Sequence, residues 1–142
     1  MASLKAIAER IEEAPASIEC GAGWHDLIEG LDNALATIDP HYVLLYVGRD
    51  RGRLVYEARP SSDVCARRPF EMAIRSAMSA SARTCEVCGR LGRTRRVDGL
   101  KETLCDPHRA AASRRARRRV RRSCALRRCA RAQSVSRPRS RT

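Results

Sequence analysis

Three cysteines and one histidine in the second half of the chain have the spacing of a metal site. Cys85 and Cys88 form one close pair, and Cys105 and His108 form a second pair, in the pattern C-x2-C-x16-C-x2-H. Two close pairs separated by a loop suit a tetrahedral ion such as zinc, because each pair can occupy two corners. Since three thiolates and one imidazole fill all four positions, the pattern predicts a structural Zn²⁺ rather than a catalytic one.

The residues around the two pairs predict how they are brought together. Gly89 permits a tight knuckle after the first pair, and Asp98-Gly99 is a strong two-residue turn that predicts a β-hairpin between the pairs. Asp106 and Pro107 predict a helix start, with the aspartate as N-cap and the proline at the first helical position. The order knuckle, hairpin, helix is that of a treble-clef zinc finger, which we place at residues 84–109.

The first part of the chain, residues 1–83, has the pattern of a small α+β body. Apolar residues recur at helical spacing over about 4–14, 24–38 and 69–83, and β-forming residues flank a turn within about 42–58. These segments predict helices packed against a small antiparallel hairpin. The zinc finger follows this body, and residues 110–142 form an Arg-rich tail that we expect to be helical or disordered.

The charge of the chain is concentrated at its C-terminal end. The 142 residues carry 29 basic and 16 acidic side chains, for a net charge of +13, yet residues 1–108 are close to neutral. The last 34 residues contain fourteen arginines and no acidic side chain. Arginines neutralise phosphates, so this asymmetry favours DNA or RNA as a partner. The candidate nucleic-acid-binding residues are Arg93, Arg95, Arg96, Arg114, Arg115, Arg117, Arg118, Arg119, Arg121 and Arg122.

The sequence predicts a cytoplasmic protein without a membrane partner. No apolar run approaches the roughly 20 residues of a membrane helix, and glutamates interrupt any signal-peptide core near the start. A reducing compartment favours thiols and metal sites over disulfides. The remaining cysteines have no partner spacing, and we expect the first two to be buried or half-buried: Cys20, Cys65, Cys124 and Cys129.

Three stretches of the sequence together resemble a family of small uncharacterised proteins from bacteria and their phages. The stretches are ECGAGWHDLI at 19–28, GRLVY at 52–56, and a CEVCG…LCDPH finger at 85–108. The family pattern has a CGDGW box, a strand of FGxLRFY character and a closing CExCG…LCxxH finger, and the resemblance covers about residues 17–109. This chain departs from the pattern at Ala22 and around Val47–Arg53. The resemblance implies the same metal site but no particular reaction.

A nuclease of the HNH type also has a CxxC pair and a late Leu-Cys pair, but it needs a histidine on the intervening hairpin to activate water. Residues 89–104 contain no histidine and no asparagine. Neither His25 nor His41 has a recognisable catalytic partner, so we expect no enzymatic activity.

Two functions remain open. The first is a zinc-stabilised protein that binds nucleic acid electrostatically through the finger and tail arginines. The alternative is a phage or bacterial accessory module that binds a host protein, with a structural zinc and a non-functional tail. The tail composition is compatible with both functions. Its arginines could bind phosphates, but an Arg-, Ala- and Ser-rich segment can also arise without a function from a GC-rich reading frame.

Overall fold

The computed structural model describes residues 4–8, 11, 18–61 and 67–135, with side chains described as far as Val120. The fold is α+β, as predicted, and its sheets are two separate antiparallel hairpins, β1–β2 and β3–β4. A 3-10 turn, Ala22–Trp24, precedes α2. The elements in chain order are α1 (Leu4–Ala8), α2 (His25–Ile38), β1 (Val43–Asp50), β2 (Arg53–Arg59), α3 (Arg67–Ser81), β3 (Arg93–Val97), β4 (Leu100–Leu104) and α4 (Asp106–Val135).

One hydrophobic core joins the first three helices to the first hairpin. The apolar stripe of α2 begins with Trp24, and its members are spaced three or four residues apart, so they share one face of the helix. That face packs on inward-facing residues of β1 and β2 and on Phe70 of α3. The largest fully buried side chains in this core are Trp24, Phe70, Ile7, Ile28, Leu35, Leu44, Leu54 and Val47.

A small polar network lies inside this core. The Tyr42 hydroxyl donates a hydrogen bond to the Asp32 carboxylate and lies 3.0 Å from the Tyr56 hydroxyl. The Tyr42 ring also meets Phe70 edge-on, with 5.6 Å between the ring centroids. Burial and the hydrogen bond to Asp32 raise the pKa of Tyr42 far above its usual value, so this phenol stays protonated. The network ties α2 to the first hairpin.

Both hairpins turn through two residues with positive φ, as a type I′ turn requires. In the first hairpin these are Arg51, at 47°, and Gly52, at 76°. In the second they are Asp98, at 52°, and Gly99, at 83°, which is the turn that the Asp-Gly pair predicts. In the second hairpin Arg93 pairs with Leu104 and Val97 pairs with Leu100.

The helix bounds differ from the predicted ones in two places. The first predicted helix extended to about residue 14, but Ile11 forms a parallel bridge with Leu44 of β1. Residues 9, 10 and 12–14 of that prediction lie outside the described residues. Helix α3 spans Arg67–Ser81, so it begins and ends about two residues earlier than predicted. The buried Ser81 hydroxyl accepts a hydrogen bond from the Leu54 N–H. The chain then leaves the helix in a tighter turn, in which the Arg83 N–H bonds the Ala80 carbonyl.

Helix α4 is the longest element. Its 30 residues correspond to a length of about 45 Å. Its N-terminal part packs against β3 and β4. The tail is thus helical as far as Val135, and residues 136–142 lie outside the described part of the chain. Among the described helices, α4 included, none is both long and apolar enough to cross a membrane.

Candidate metal centre

The first ligand pair lies on a tight knuckle between α3 and β3. The Gly89 N–H donates to the Cys85 carbonyl at 2.9 Å, which closes the turn that carries Cys88. Gly89 has a φ of 72°, a conformation that glycine adopts without strain. A further bond, from the Cys85 N–H to the Arg90 carbonyl at 2.7 Å, folds the chain back towards β3. The sequence therefore places both thiols on the same side of one turn.

The second pair lies where β4 runs into α4. The Cys105 carbonyl accepts the first helical hydrogen bond, from the Arg109 N–H at 2.9 Å, so Cys105 rather than Asp106 is the N-cap residue. This corrects the predicted helix start by one residue. Pro107 becomes the second helical residue, where its missing N–H has no intrahelical partner to lose. His108 follows within the first turn and points back at Cys105.

The four ligand atoms lie close enough together to hold one metal ion. All four lie within 4.8 Å of one another. A zinc ion with ordinary bond lengths has ligand edges of about 3.8 Å between sulfurs and about 3.6 Å between sulfur and nitrogen. The observed edges are 3.8 Å for Cys88 Sγ to Cys105 Sγ and 3.5 Å for Cys85 Sγ to His108 Nδ1. The Cys105 Sγ to His108 Nδ1 edge, at 3.1 Å, is shorter by about half an ångström than such an ion would set.

The surroundings of Cys85 favour ionised sulfur, which is the form that binds metal. Burial alone would raise the pKa of the Cys85 thiol, but the backbone N–H groups of Cys105, Cys88 and Val87, with His108, outweigh it and lower the pKa to about 6. The backbone N–H of His108 favours a thiolate at Cys105 too. There burial and the Cys85 and Cys88 sulfurs prevail, and the pKa of Cys105 is raised. Ionisation of one thiol thus disfavours ionisation of its neighbours, and a divalent cation would remove this repulsion by neutralising the negative charge.

The CGAGW box lies directly against the knuckle. The Gly23 N–H donates to the Glu86 carbonyl at 2.8 Å, and Trp24 Nε1 donates to the Thr84 carbonyl at 2.8 Å. A Cβ atom on Gly23 would lie 2.1 Å from the Cys85 carbonyl oxygen and 2.4 Å from the Gly89 nitrogen. A Cβ on Gly21 would lie 2.3 Å from the Glu86 carbonyl oxygen. The two glycines are therefore required by close backbone contact with the metal-binding turn.

Glu86, between the two cysteines of the knuckle, joins three parts of the protein. Its backbone N–H donates to the Thr103 carbonyl at 2.9 Å, and its backbone carbonyl accepts from Gly23. Its carboxylate, 8% exposed, accepts two hydrogen bonds of 3.1 Å from the Arg49 guanidinium. The contacts of Glu86, Gly21 and Gly23 were not predicted, although each of these residues belongs to the CGAGW or CEVCG motif of the sequence.

Thr103 connects the second hairpin to the turn of the first hairpin. Its side chain is fully buried and donates to the Gly52 carbonyl at 2.5 Å, in the turn of the first hairpin. The Thr94 hydroxyl lies 2.7 Å from that of Thr103. The turn packs so closely that a Cβ on Gly52 would lie 3.0 Å from the Glu102 Cα. These contacts pack the finger directly against the body.

The other cysteines do not join the cluster within the described residues. Cys20 is half-buried beside the core, as predicted, and burial together with the charge of Glu86 raises the pKa of its thiol to about 11. Cys65 lies outside the described residues. Cys124 and Cys129 are part of α4, in a section whose side chains the structure does not describe.

The candidate nucleic-acid-binding arginines do not share one surface. Strand alternation places Arg93 and Arg95 on the hairpin face that carries Val97 and Leu104, and places Arg96 on the opposite face. Arg115, Arg118 and Arg119 line an open groove of about 720 Å³ beside β4, which also includes Glu86 and Glu102. Arg114 and Arg117 are exposed on α4, and Arg121 and Arg122 lie in the section of α4 without described side chains.

Comparison with known proteins gives no family for this chain. No protein-family model, no curated protein and no solved structure matches it. What the chain does must therefore be argued from the Cys85, Cys88, Cys105 and His108 cluster, which could hold a metal ion, and from the charges around it.

Proposed function

We propose that this protein is a zinc-stabilised nucleic-acid-binding protein whose finger has the treble-clef arrangement. The observation that carries the proposal is that α4 begins at the ligands Cys105 and His108 and continues as one helix through eleven arginines. No acidic residue follows Asp106 in that helix. An ion at the cluster would therefore fix the base of a basic rod about 45 Å long.

Zinc is the ion that the donor set favours. Three cysteines and one histidine at tetrahedral spacing are typical of structural zinc, and thiolates disfavour magnesium and calcium. Because protein ligands occupy all four positions of such a site, no position remains for a reactive water. A binding role without catalysis follows, and within this proposal the ion is a folding element.

The partner is proposed from the charge of α4. Like charges repel along an isolated helix at i, i+3 and i, i+4 spacing, and this helix has them at Arg114, Arg115, Arg118 and Arg119. A phosphate backbone neutralises such a surface and releases its counterions, which gives strong but salt-dependent binding. The resemblance to bacterial and phage proteins supports a role inside a bacterial cell, in the cytoplasm, where both DNA and RNA are available.

The test compares two variants with the same loss of charge. In the tail variant, Arg114, Arg117 and Arg118 become glutamine, and in the control variant Arg67, Arg68 and Arg75 of α3 become glutamine. Binding of a fluorescein-labelled 20-nucleotide single strand is followed by anisotropy from 50 to 300 mM KCl. We expect the tail variant to lose about 2 from the slope of log K against log salt, and up to about 100-fold in affinity at 0.1 M, if all three contact phosphates.

The control variant should retain most of the wild-type affinity. Equal effects of the two variants would mean that only net charge matters and that α4 is not the binding element. Absence of oligonucleotide binding by the wild-type protein would contradict the proposal. It would favour the alternative, a protein-interaction module in which the tail has no role.

A further inference from the structure

A second basic surface lies between the two hairpins and adjoins the groove beside α4 at Arg49 and Leu100. The turn of the first hairpin faces one side of the second hairpin and leaves an open cleft of about 420 Å³. Its continuation past Asp50, Arg51 and Lys101 reaches β2 and the end of α3. The charged residues that line the cleft and its continuation are Arg49, Arg51, Arg53, Arg96, Lys101 and Asp50.

The residues of this cleft are held in fixed relation to one another. The Thr103 hydroxyl bonds the Gly52 carbonyl at the turn, and Gly52 lies in close backbone contact with Glu102. Thr103 itself is fully buried. The rigid unit therefore presents Arg51 from one hairpin beside Lys101 from the other without needing a conformational change. Such preorganisation reduces the cost of binding a ligand.

The positive charge of the cleft is only partly compensated by the protein. Arg96 and Lys101 are direct cross-strand partners, an arrangement of like charges that destabilises a hairpin. Asp50 lies 3.8 Å from Arg51, an exposed pair that contributes little. Arg49 is paired with Glu86, but its side chain remains 44% exposed and faces the cleft. Five cations thus line the surface against the carboxylate of Asp50 and that of Glu86, which pairs with Arg49 from the edge, so the surface keeps a net positive charge.

We infer that this cleft is a second phosphate-binding site, which contacts the backbone of a nucleic acid through residues other than those of α4. Four of its five cations are arginines, whose planar guanidinium groups bind phosphate oxygens in pairs. The cleft is open to solvent, which suits a continuous polymer better than an enclosed small molecule. The choice of nucleic acid as the ligand rests on the proposed function. The residues of the cleft are taken from the structure alone.

The location of the cleft has a consequence for how a strand would lie. Arg96 and Lys101 are on the face of the second hairpin that is opposite to the face packed near α4. The cleft and the groove beside α4 nevertheless adjoin, because Arg49 and Leu100 line both. A nucleic acid that occupies both surfaces would place different phosphates in the cleft and along α4.

The experiment uses the full-length, zinc-loaded protein and a pair of residues outside the proposed tail site. In the cleft variant, Arg51→Asn and Lys101→Gln are combined, since asparagine tolerates the positive φ of position 51. The matched control combines Arg67→Gln and Arg68→Gln, on the exposed start of α3. Anisotropy of the same labelled 20-mer is measured against KCl. Loss of two phosphate contacts should lower the salt slope by about 1.4 and the affinity by about 25-fold at 0.1 M KCl.

The outcomes separate this inference from the proposed function. If the cleft variant binds like its control while the tail variant is impaired, the cleft inference is wrong and the tail proposal stands. If the cleft variant is impaired and the tail variant is not, the cleft is the binding site and α4 is not. Weakening of both, each beyond its control, supports two sites. If Arg51→Asn disturbs the fold, seen as an altered circular dichroism spectrum or lost zinc, Arg53→Gln with Lys101→Gln replaces it.

Discussion

The contact between Gly23 and the metal-binding knuckle gives a sharp prediction for Gly23→Ala. The added methyl group would meet three knuckle backbone atoms at 2.1, 2.4 and 2.7 Å: the Cys85 carbonyl oxygen, the Gly89 nitrogen and the Cys88 nitrogen. Backbone atoms of a closed turn cannot rotate away as the end of a side chain can. The box must therefore move away from the knuckle, or the knuckle must open.

The size of the effect follows from what that movement breaks. Overpacking of a dense interior costs about 1–3 kcal/mol, and each of the bonds from Gly23 and Trp24 contributes about 1 kcal/mol. We therefore expect Gly23→Ala to lower the free energy of unfolding by about 3 kcal/mol and the melting temperature by about 10 °C. Since the displaced atoms belong to the ligand turn, zinc affinity should fall as well.

Gly30→Ala is a matched control, because it makes the same chemical change within α2. A Cβ at Gly30 has no atom within 4 Å, and alanine is the better helix former by about 1 kcal/mol. Urea unfolding of the zinc-loaded proteins measures stability, and competition with a chromogenic chelator measures zinc affinity. We expect Gly30→Ala to equal or exceed the wild type in both. Equal behaviour of the two variants would refute the argument that the box supports the metal site.

Three further predictions test other parts of the structure. Cys88→Ala leaves three ligands, so it should abolish the binding of one zinc per chain, measured by mass spectrometry of the metal. It should also unfold the second hairpin, measured as faster amide hydrogen exchange. The control Cys20→Ala should keep one zinc per chain. Thr103→Val should lower the free energy of unfolding by about 2 kcal/mol, since it leaves the Gly52 carbonyl without its buried donor, whereas the same change at the exposed Thr37 should have little effect. The Asp39 carboxylate accepts hydrogen bonds from the Ser61 N–H and hydroxyl and from the His41 N–H, which lower its pKa, so Asp39→Asn should be less stable than wild type at neutral pH. A lowered pKa stabilises the fold above the unfolded-state value near 4, so this difference should shrink as the pH falls below 4; a difference that is constant from pH 7 to pH 3 would contradict the reasoning.

Local patterns in the sequence predicted the parts of the structure that depend on neighbouring residues. The Cys85, Cys88, Cys105 and His108 spacing predicted a cluster that the structure brings together. The Asp98-Gly99 pair predicted the turn of the second hairpin, because few residues other than asparagine, aspartate and glycine accept positive φ. The stripe from Trp24 to Ile38 predicted α2, since its apolar spacing matches the helical repeat.

What sequence reasoning missed depends on contacts between distant segments. Gly23 and Glu86 are more than sixty residues apart, and nothing local to either one reveals that they bond. The sequence analysis also grouped Arg95 with Arg96 among the candidate nucleic-acid-binding residues, although adjacent residues of a strand point to opposite faces. Arg51 and Lys101 were not among those candidates, because they come together only when the two hairpins are packed.

The contacts of Glu86 link the candidate metal centre to the cleft between the hairpins. Its backbone lies in the turn between two ligands, its carbonyl is bonded by Gly23, and its carboxylate holds Arg49 at the edge of the cleft. An ion at the four ligands would fix this turn and, through Glu86, the position of Arg49. Metal and phosphate would then each favour the same arrangement of Glu86, and by linkage each would strengthen the binding of the other. A structural ion at this site would therefore act on ligand affinity without touching the ligand, because Glu86, which lies between two of the ligands, is also the partner of the exposed Arg49.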